Sequence, residues 1–137
     1  MTYRISITTT LLALTLAIPL AASEHTKDSI DKIKASVAEK KAVIVDVREQ
    51  GEWDEGHLKA AVLVPLSELK SEAAKSEYAK KLAEKLPKDK VVYCHCKAGK
   101  RALLAGDLLK KLGYDARPLK QGYQQLLEAG FPKAELK

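Results

Sequence analysis

Two short runs constrain this chain more than anything else in it. AVIVDVR, from Ala42 to Arg48, and KVVYCHC, from Lys90 to Cys96, are almost continuously apolar and rich in β-branched residues. A strand with one wet face alternates polar and apolar residues. Runs without that alternation belong to strands covered on both faces, the usual condition of a parallel sheet sandwiched between helices. The remaining chain supplies the covers. Asp28 to Glu39 repeats Ile30, Ile33 and Val37 at helical spacing. Ser67 to Leu86 reads as one long helix, with Ser67 as its N-cap and Pro87 as its stop. Ala102 to Leu112 is a third helix, with Leu103, Leu104, Leu108, Leu109 and Leu112 facing inwards and Gly113 ending it. AVLVPL from Ala61 and DARPLK from Asp115 are two further strands. EQGEWDEGH reads as a turn-rich connection and GYQQLLEA as a last short helix. Strands alternating with helices predict an α/β domain with a mainly parallel sheet.

A chain of 137 residues fits one domain with one ordinary core, expected here as a monomer. Apolar residues at 46% and charged residues at 31% exclude disordered and fibrous classes. The net charge of +6 is dispersed among lysines and glutamates, without a block of like charge. That pattern argues against a nucleic-acid partner and favours small anionic substrates.

Residues 1–23 stand apart from residues 24–137, which form the expected domain. One cation, Arg4, precedes a nearly unbroken apolar run from Leu11 to Leu20, and PLAAS then ends in small residues. This is the pattern of a secretory signal peptide cut after Ala22 or Ser23. The apolar run is shorter than the roughly 20 residues a membrane span needs. The expectation is therefore an exported protein, periplasmic in a Gram-negative source, without stable membrane association after cleavage.

Export draws attention to Cys94 and Cys96, the only cysteines of the chain. Outside the cytoplasm, paired cysteines usually become structural disulfides. Here only His95 separates them, so a bridge would close a tiny loop and stabilise almost nothing. Strand alternation points Cys94 and Cys96 one way and His95 the other, so the three cannot converge on one metal ion. Cys96 ends the strand. The loop Lys97-Ala98-Gly99-Lys100 then opens into a helix at Arg101. A loop wrapping into a helix start aims several backbone N–H groups at one spot, and Lys97, Lys100 and Arg101 add positive charge. Cys96 at the rim of such a cradle is expected to be an accessible thiolate and the nucleophile. Cys94, one pleat back, is expected in the core. Arg101, across the glycine loop, is expected to help hold an anion.

These segments resemble the single-domain rhodaneses, a sulfurtransferase family. DVREQGEWDEGHL (Asp46 to Leu58) is similar to the family's D-V-R-x-x-x-E-aromatic-x-x-G-H-I segment. CKAGKR (Cys96 to Arg101) is similar to its active loop C-x-x-G-x-R, and LKQGYQQLLEAGFP (Leu119 to Pro132) to its closing L-x-G-G-aromatic…A-G-x-P segment. The likeness covers about residues 28–135. It implies a roughly five-stranded, mainly parallel sheet with helices on both faces. It implies that Cys96 accepts a sulfur atom as a persulfide, within an anion-binding loop of Lys97, Ala98, Gly99, Lys100 and Arg101. Asp46, Arg48, Glu52 and His57 are then scaffold residues. Arg48 and Glu52 lie close enough in sequence to pair, His57 reads as a strut in a turn, and Trp53 as core. The implied donor is thiosulfate or a similar small anion, and the implied acceptor is a thiol or cyanide, with no metal or organic cofactor. Three positions depart from the pattern: Ala102 replaces a usual Ser or Thr, Gln121 the first glycine of G-G, and Leu126 an aromatic.

Two other classes remain open at this level. HCKAGKR also resembles the loop H-C-x-A-G-x-x-R of cysteine phosphatases and arsenate reductases. Those place five residues between cysteine and arginine, whereas four stand here, Lys97 to Lys100. A shorter ring of N–H groups suits a single sulfur better than a tetrahedral phosphate. The other class is a non-catalytic module of the same fold that carries or senses sulfur.

Overall fold

The computed structural model describes residues 23–137. The signal-peptide segment therefore lies outside the described residues, except for Ser23. The elements run α1 (Ile30–Ala38), β1 (Ala42–Asp46), α2 (Gln50–Glu55), β2 (Ala61–Leu63), α3 (Leu66–Glu72), α4 (Ser76–Lys85), β3 (Val91–His95), α5 (Lys100–Lys111), β4 (Asp115–Pro118) and α6 (Tyr123–Glu128). The strands form one parallel sheet in the order β2-β1-β3-β4. The two apolar runs are its central strands. Their register sets Val45 beside Cys94 and Asp46 beside His95, so both strands end level, and the chain turns away at Val47 and Cys96.

Alternation along each central strand sends neighbours to opposite layers. Val45, Cys94 and Cys96 join Leu69, Tyr78, Leu82, Ala105 and Leu109 on one side. Ile44 and Tyr93 join Ile33, Leu58, Leu126 and Phe131 on the other. The sheet is thus covered on both faces, as the unbroken apolar runs require.

Four local expectations are corrected. The sheet has four strands among the described residues, not roughly five. The segment ahead of α1, where an edge strand would add to β4, is polar and makes one backbone bond there, Thr26 N–H to the Pro118 carbonyl at 2.7 Å, so no ladder forms. EQGEWDEGH is not merely a connection, because Gln50 to Glu55 is helical. The long helix expected over Ser67 to Leu86 is two helices, split at Ala73 to Lys75, and Pro65 rather than Ser67 caps the first. The apolar spacing explains the split. Leu69 and Tyr78 are nine residues apart and both buried. At about 100° per residue, one continuous helix would turn them to opposite faces. Breaking the helix returns both to the sheet.

The inner face of α5 is the fourth correction. It buries Ala102, Ala105, Gly106 and Leu109, and leaves Leu104 52% exposed. Small side chains let this helix lie close against the sheet. Leu109→Ala is accordingly expected to cost about 2–5 kcal/mol. Leu104→Ala is expected to cost less than about 0.5 kcal/mol. Urea denaturation of the two variants checks the assignment; equal losses would contradict it.

Candidate active site

The site lies at the carboxyl ends of β1 and β3, where open parallel sheets generally bind ligands. Cys96 follows the last residue of β3. Gly99 caps α5 at φ +95°, a left-handed conformation that a side chain resists. That turn folds the loop back, and the Gly99 N–H donates to Cys96 Sγ at 3.0 Å. Cys96 is 1% exposed, so the expected accessible rim position is in fact a recess beneath its own loop. Lys97, Ala98 and Lys100 face solvent, while Gly99 is buried.

The loop is clamped from the side by the turn ahead of α6. Tyr123 N–H donates to the Cys96 carbonyl at 2.9 Å. Gly122 lies so close that a Cβ there would stand 1.7 Å from the Lys97 carbonyl oxygen. This contact is why the second position of the closing motif holds glycine, while Gln121 is accommodated at the first.

Cys94 is fully buried against α5, with Sγ 3.6 Å from the Ala102 carbonyl oxygen. Burial pushes its thiol up to about 12, so it stays protonated. Both cysteines are free. His95, on the opposite face, is fully buried with Nε2 3.7 Å from Asp46 Oδ2. Burial lowers its pKa, which keeps it neutral.

Two charge pairs frame the loop, and neither is the expected one. Arg48 does not pair with Glu52. Its Nε and Nη2 fork onto the Asp46 carboxylate at 3.0 and 2.8 Å, and Nη2 also donates to the Gly56 carbonyl at 2.7 Å. Asp46 is fully buried, and two residues is the shortest reach that brings a guanidinium to it. The Arg48 guanidinium also stacks 4.2 Å over the Tyr123 ring. Glu52 instead takes a two-pronged bond from Arg101, at 2.6 and 2.8 Å. It also accepts the Glu49 N–H at 2.9 Å, while Glu49 in turn accepts from Ser67 Oγ at 2.6 Å. Arg101 is thus engaged by a carboxylate rather than open to an anion.

His57 Nδ1 donates to the Trp53 carbonyl at 2.9 Å, and its ring stacks on Trp53 with centroids 3.6 Å apart. Trp53 is half-buried in this stack and not part of either core cluster. Beside the loop opens a cavity of about 400 Å³, lined by Arg48, Glu52, Lys97, Tyr123, Gln124 and Lys133 among others. The structure therefore gathers Asp46, Arg48, Glu52 and the Cys96 loop at one end of the sheet. Sequence reasoning missed Glu49, Ser67, Tyr123 and the partner of Arg101. The last two signals were present, in the G-Y of the closing segment and in an acid six residues past the end of β1.

Residues 29–129 match the model of the rhodanese-like domain, and the chain belongs to that family. A Schizosaccharomyces pombe protein named as a mitochondrial thiosulfate sulfurtransferase is 34% identical over 86 residues, 59% of each chain. MoeZ of Mycobacterium tuberculosis, named as an adenylyltransferase/sulfurtransferase, is 37% identical over 84 residues, 61% of this chain. The aligned region spans 59% of the yeast relative's length and 19% of MoeZ. Among solved structures, the human single-domain sulfurtransferase TSTD1 superposes with a TM-score of 0.61 at 27% identity, over 79% of this chain and 96% of that one. Protein hp1203 of Helicobacter pylori superposes with a TM-score of 0.55 at 32% identity, over 69% of this chain and 79% of that one.

The Glu52–Arg101 fork makes a pH prediction. The Arg101 guanidinium holds the Glu52 carboxyl down at about 2, against an ordinary 4.5. A depressed folded-state pKa contributes stability that is complete above the unfolded value and fades as pH falls towards the folded one. Glu52→Gln is thus expected to be less stable than the wild type at neutral pH, with the gap closing between about pH 5 and about pH 2. Urea midpoints measured across that range check this; a gap that stays constant with pH would contradict it.

Proposed function

We propose that this protein is a sulfurtransferase that carries sulfane sulfur on Cys96. The observation that supports this best is the recess itself. Cys96 Sγ sits at the start of a twelve-residue helix, under a loop whose Gly99 N–H already donates to it. Backbone donors and the helix dipole favour negative charge at that point. In the first half-reaction, the Cys96 thiolate attacks the outer sulfur of thiosulfate or a similar sulfane donor. A new S–S bond forms, the donor's S–S bond breaks, and sulfite leaves with the electron pair. In the second, a thiol or cyanide attacks the outer sulfur of the persulfide, and Cys96 departs as thiolate. This is covalent catalysis with ping-pong kinetics. The neighbouring cavity, with Lys97 and Lys133 at its wall, is the entry for the anionic donor and the acceptor.

The same geometry favours sulfur over phosphorus. A phosphate needs an arginine fork, and the Arg101 fork is bound to Glu52. A thiol with 1% exposure suits a single terminal atom better than a tetrahedral ester. The apolar run Leu11 to Leu20 with its small-residue end supports action outside the cytoplasm.

Intact protein treated with thiosulfate and desalted is expected to gain the mass of one sulfur atom. Cys96→Ala is expected to lose that gain together with thiosulfate:cyanide turnover, while Cys94→Ala keeps most of both. A folded Cys94→Ala protein with neither would refute the single-nucleophile reading.

A second expectation separates the clamp from general packing. Gly122→Ala has an ordinary backbone angle, φ −84°, but its methyl group would collide with the loop. Turnover is expected to fall at least about tenfold, the consequence of displacing a reacting group by an ångström or less. Gly51→Ala meets nothing within 4 Å and is expected to match the wild type. Equal activity of the two variants would show that the clamp does not position Cys96.

A further inference from the structure

The residues ahead of α1 belong to no helix or strand, yet they are tied to the domain at several points. Thr26 N–H donates to the Pro118 carbonyl at 2.7 Å. The Asp28 carboxylate accepts from Tyr93 Oη at 2.7 Å and from Arg117 Nη1 at 2.9 Å. Held at Thr26 and Asp28, the segment lays His25 against the start of α5. His25 Nε2 lies 3.0 Å from the Gly99 carbonyl oxygen, and 3.1 Å from where a Gly99 Cβ would stand. A carbonyl oxygen can only accept, so the ring donates Nε2–H.

We propose that His25 is a positioning residue for the Cys96 loop, and that its bond to Gly99 strengthens the hold of that loop on the anionic sulfur. This rests on the sulfur-transfer reading. The Gly99 carbonyl and the Lys100 N–H belong to one peptide group. A donor on the carbonyl polarises the group and makes its N–H a better donor, by about 10–30%. Lys100 is the first residue of α5, so its N–H has no acceptor within the helix. The neighbouring Gly99 N–H is already on Cys96 Sγ. His25 therefore acts on one peptide group: it fixes the plane that follows the Gly99 N–H donor and sharpens the Lys100 N–H within it. A persulfide, which extends the cysteine by one sulfur and keeps the negative charge, needs more of this support than the bare thiol does.

The test compares His25→Ala and His25→Gln with the wild type in the full chain. It uses thiosulfate:cyanide kinetics, thermal melting, and hydrogen exchange resolved at the Gly99 amide. His25→Ala is expected to lower kcat about 1.3- to 4-fold, the consequence of weakening one charge-assisted hydrogen bond by about 10–30%, with KM for thiosulfate nearly unchanged. The Gly99 amide, which donates to Cys96 Sγ, is expected to exchange faster, with the melting temperature little altered. Glutamine also offers an N–H donor, so His25→Gln is expected to recover most of kcat and of the exchange protection. Wild-type kcat and wild-type exchange in His25→Ala would overturn the proposal. So would a loss that tracks the melting temperature and that glutamine does not recover. If the wild type moved no sulfur at all, the functional reading would fall, and so would any catalytic effect of His25. Exchange at Gly99 would then still decide separately whether the contact orders the loop.

Discussion

A carboxylate sealed from water at the end of a central strand organises this protein. Asp46 has no exposure, and a lone charge there would cost several kcal/mol. Arg48 offsets that cost with a fork, and the same guanidinium then reaches the Gly56 carbonyl and lies over Tyr123. One buried ion pair thereby ties the end of β1 to the turn after α2 and to the first residue of α6. Tyr123 in turn holds the Cys96 carbonyl. The position of the thiol is therefore inherited, through three contacts, from the need to neutralise Asp46.

The second pair, Glu52 with Arg101, closes the frame from the opposite side. It joins the helix that follows β1 to the helix that follows β3. Each partner is about a third exposed, so its value lies less in raw stability than in geometry. With Arg101 fixed, the first turn of α5 is fixed, and with it the N–H groups that open towards Cys96. The donor nearest the sulfur is one backbone amide, that of Gly99. The loop thus meets the sulfur with a neutral group, while Lys97 and Lys100 at its rim face solvent.

Much of this was legible in the sequence. The unbroken runs Ala42 to Arg48 and Lys90 to Cys96 required a doubly covered parallel sheet, and the alternation of strands and helices agreed. Strand alternation put Cys94 and Cys96 on one face, and only nearness to the glycine loop told them apart; that Cys96 is buried as well was not legible. Other features were legible but misread. The nine-residue interval from Leu69 to Tyr78 could have signalled the break between α3 and α4. The leucine-rich look of α5 concealed that its closest face is made of Ala102, Ala105, Gly106 and Leu109, with Leu108 and Leu112 only partly buried beside it and Leu104 exposed, because hydrophobicity marks what can be buried and not what fits a narrow gap.

What the sequence determined by itself is the order of elements, the parallel sheet and the chemistry offered at the end of β3, because these follow from local spacing and residue type. What only the tertiary structure decided is pairing. Arg48 had two acids within reach along the chain, Asp46 and Glu52, and took the one that burial left most in need of a partner. Arg101 and Glu52 stand 49 positions apart, a separation across which sequence spacing carries no information. Gly122 matters for the Lys97 carbonyl it approaches, and His25 for the Gly99 carbonyl it meets. These contacts arise from how the folded elements stack, since charge and shape complementarity act across space and not along the chain.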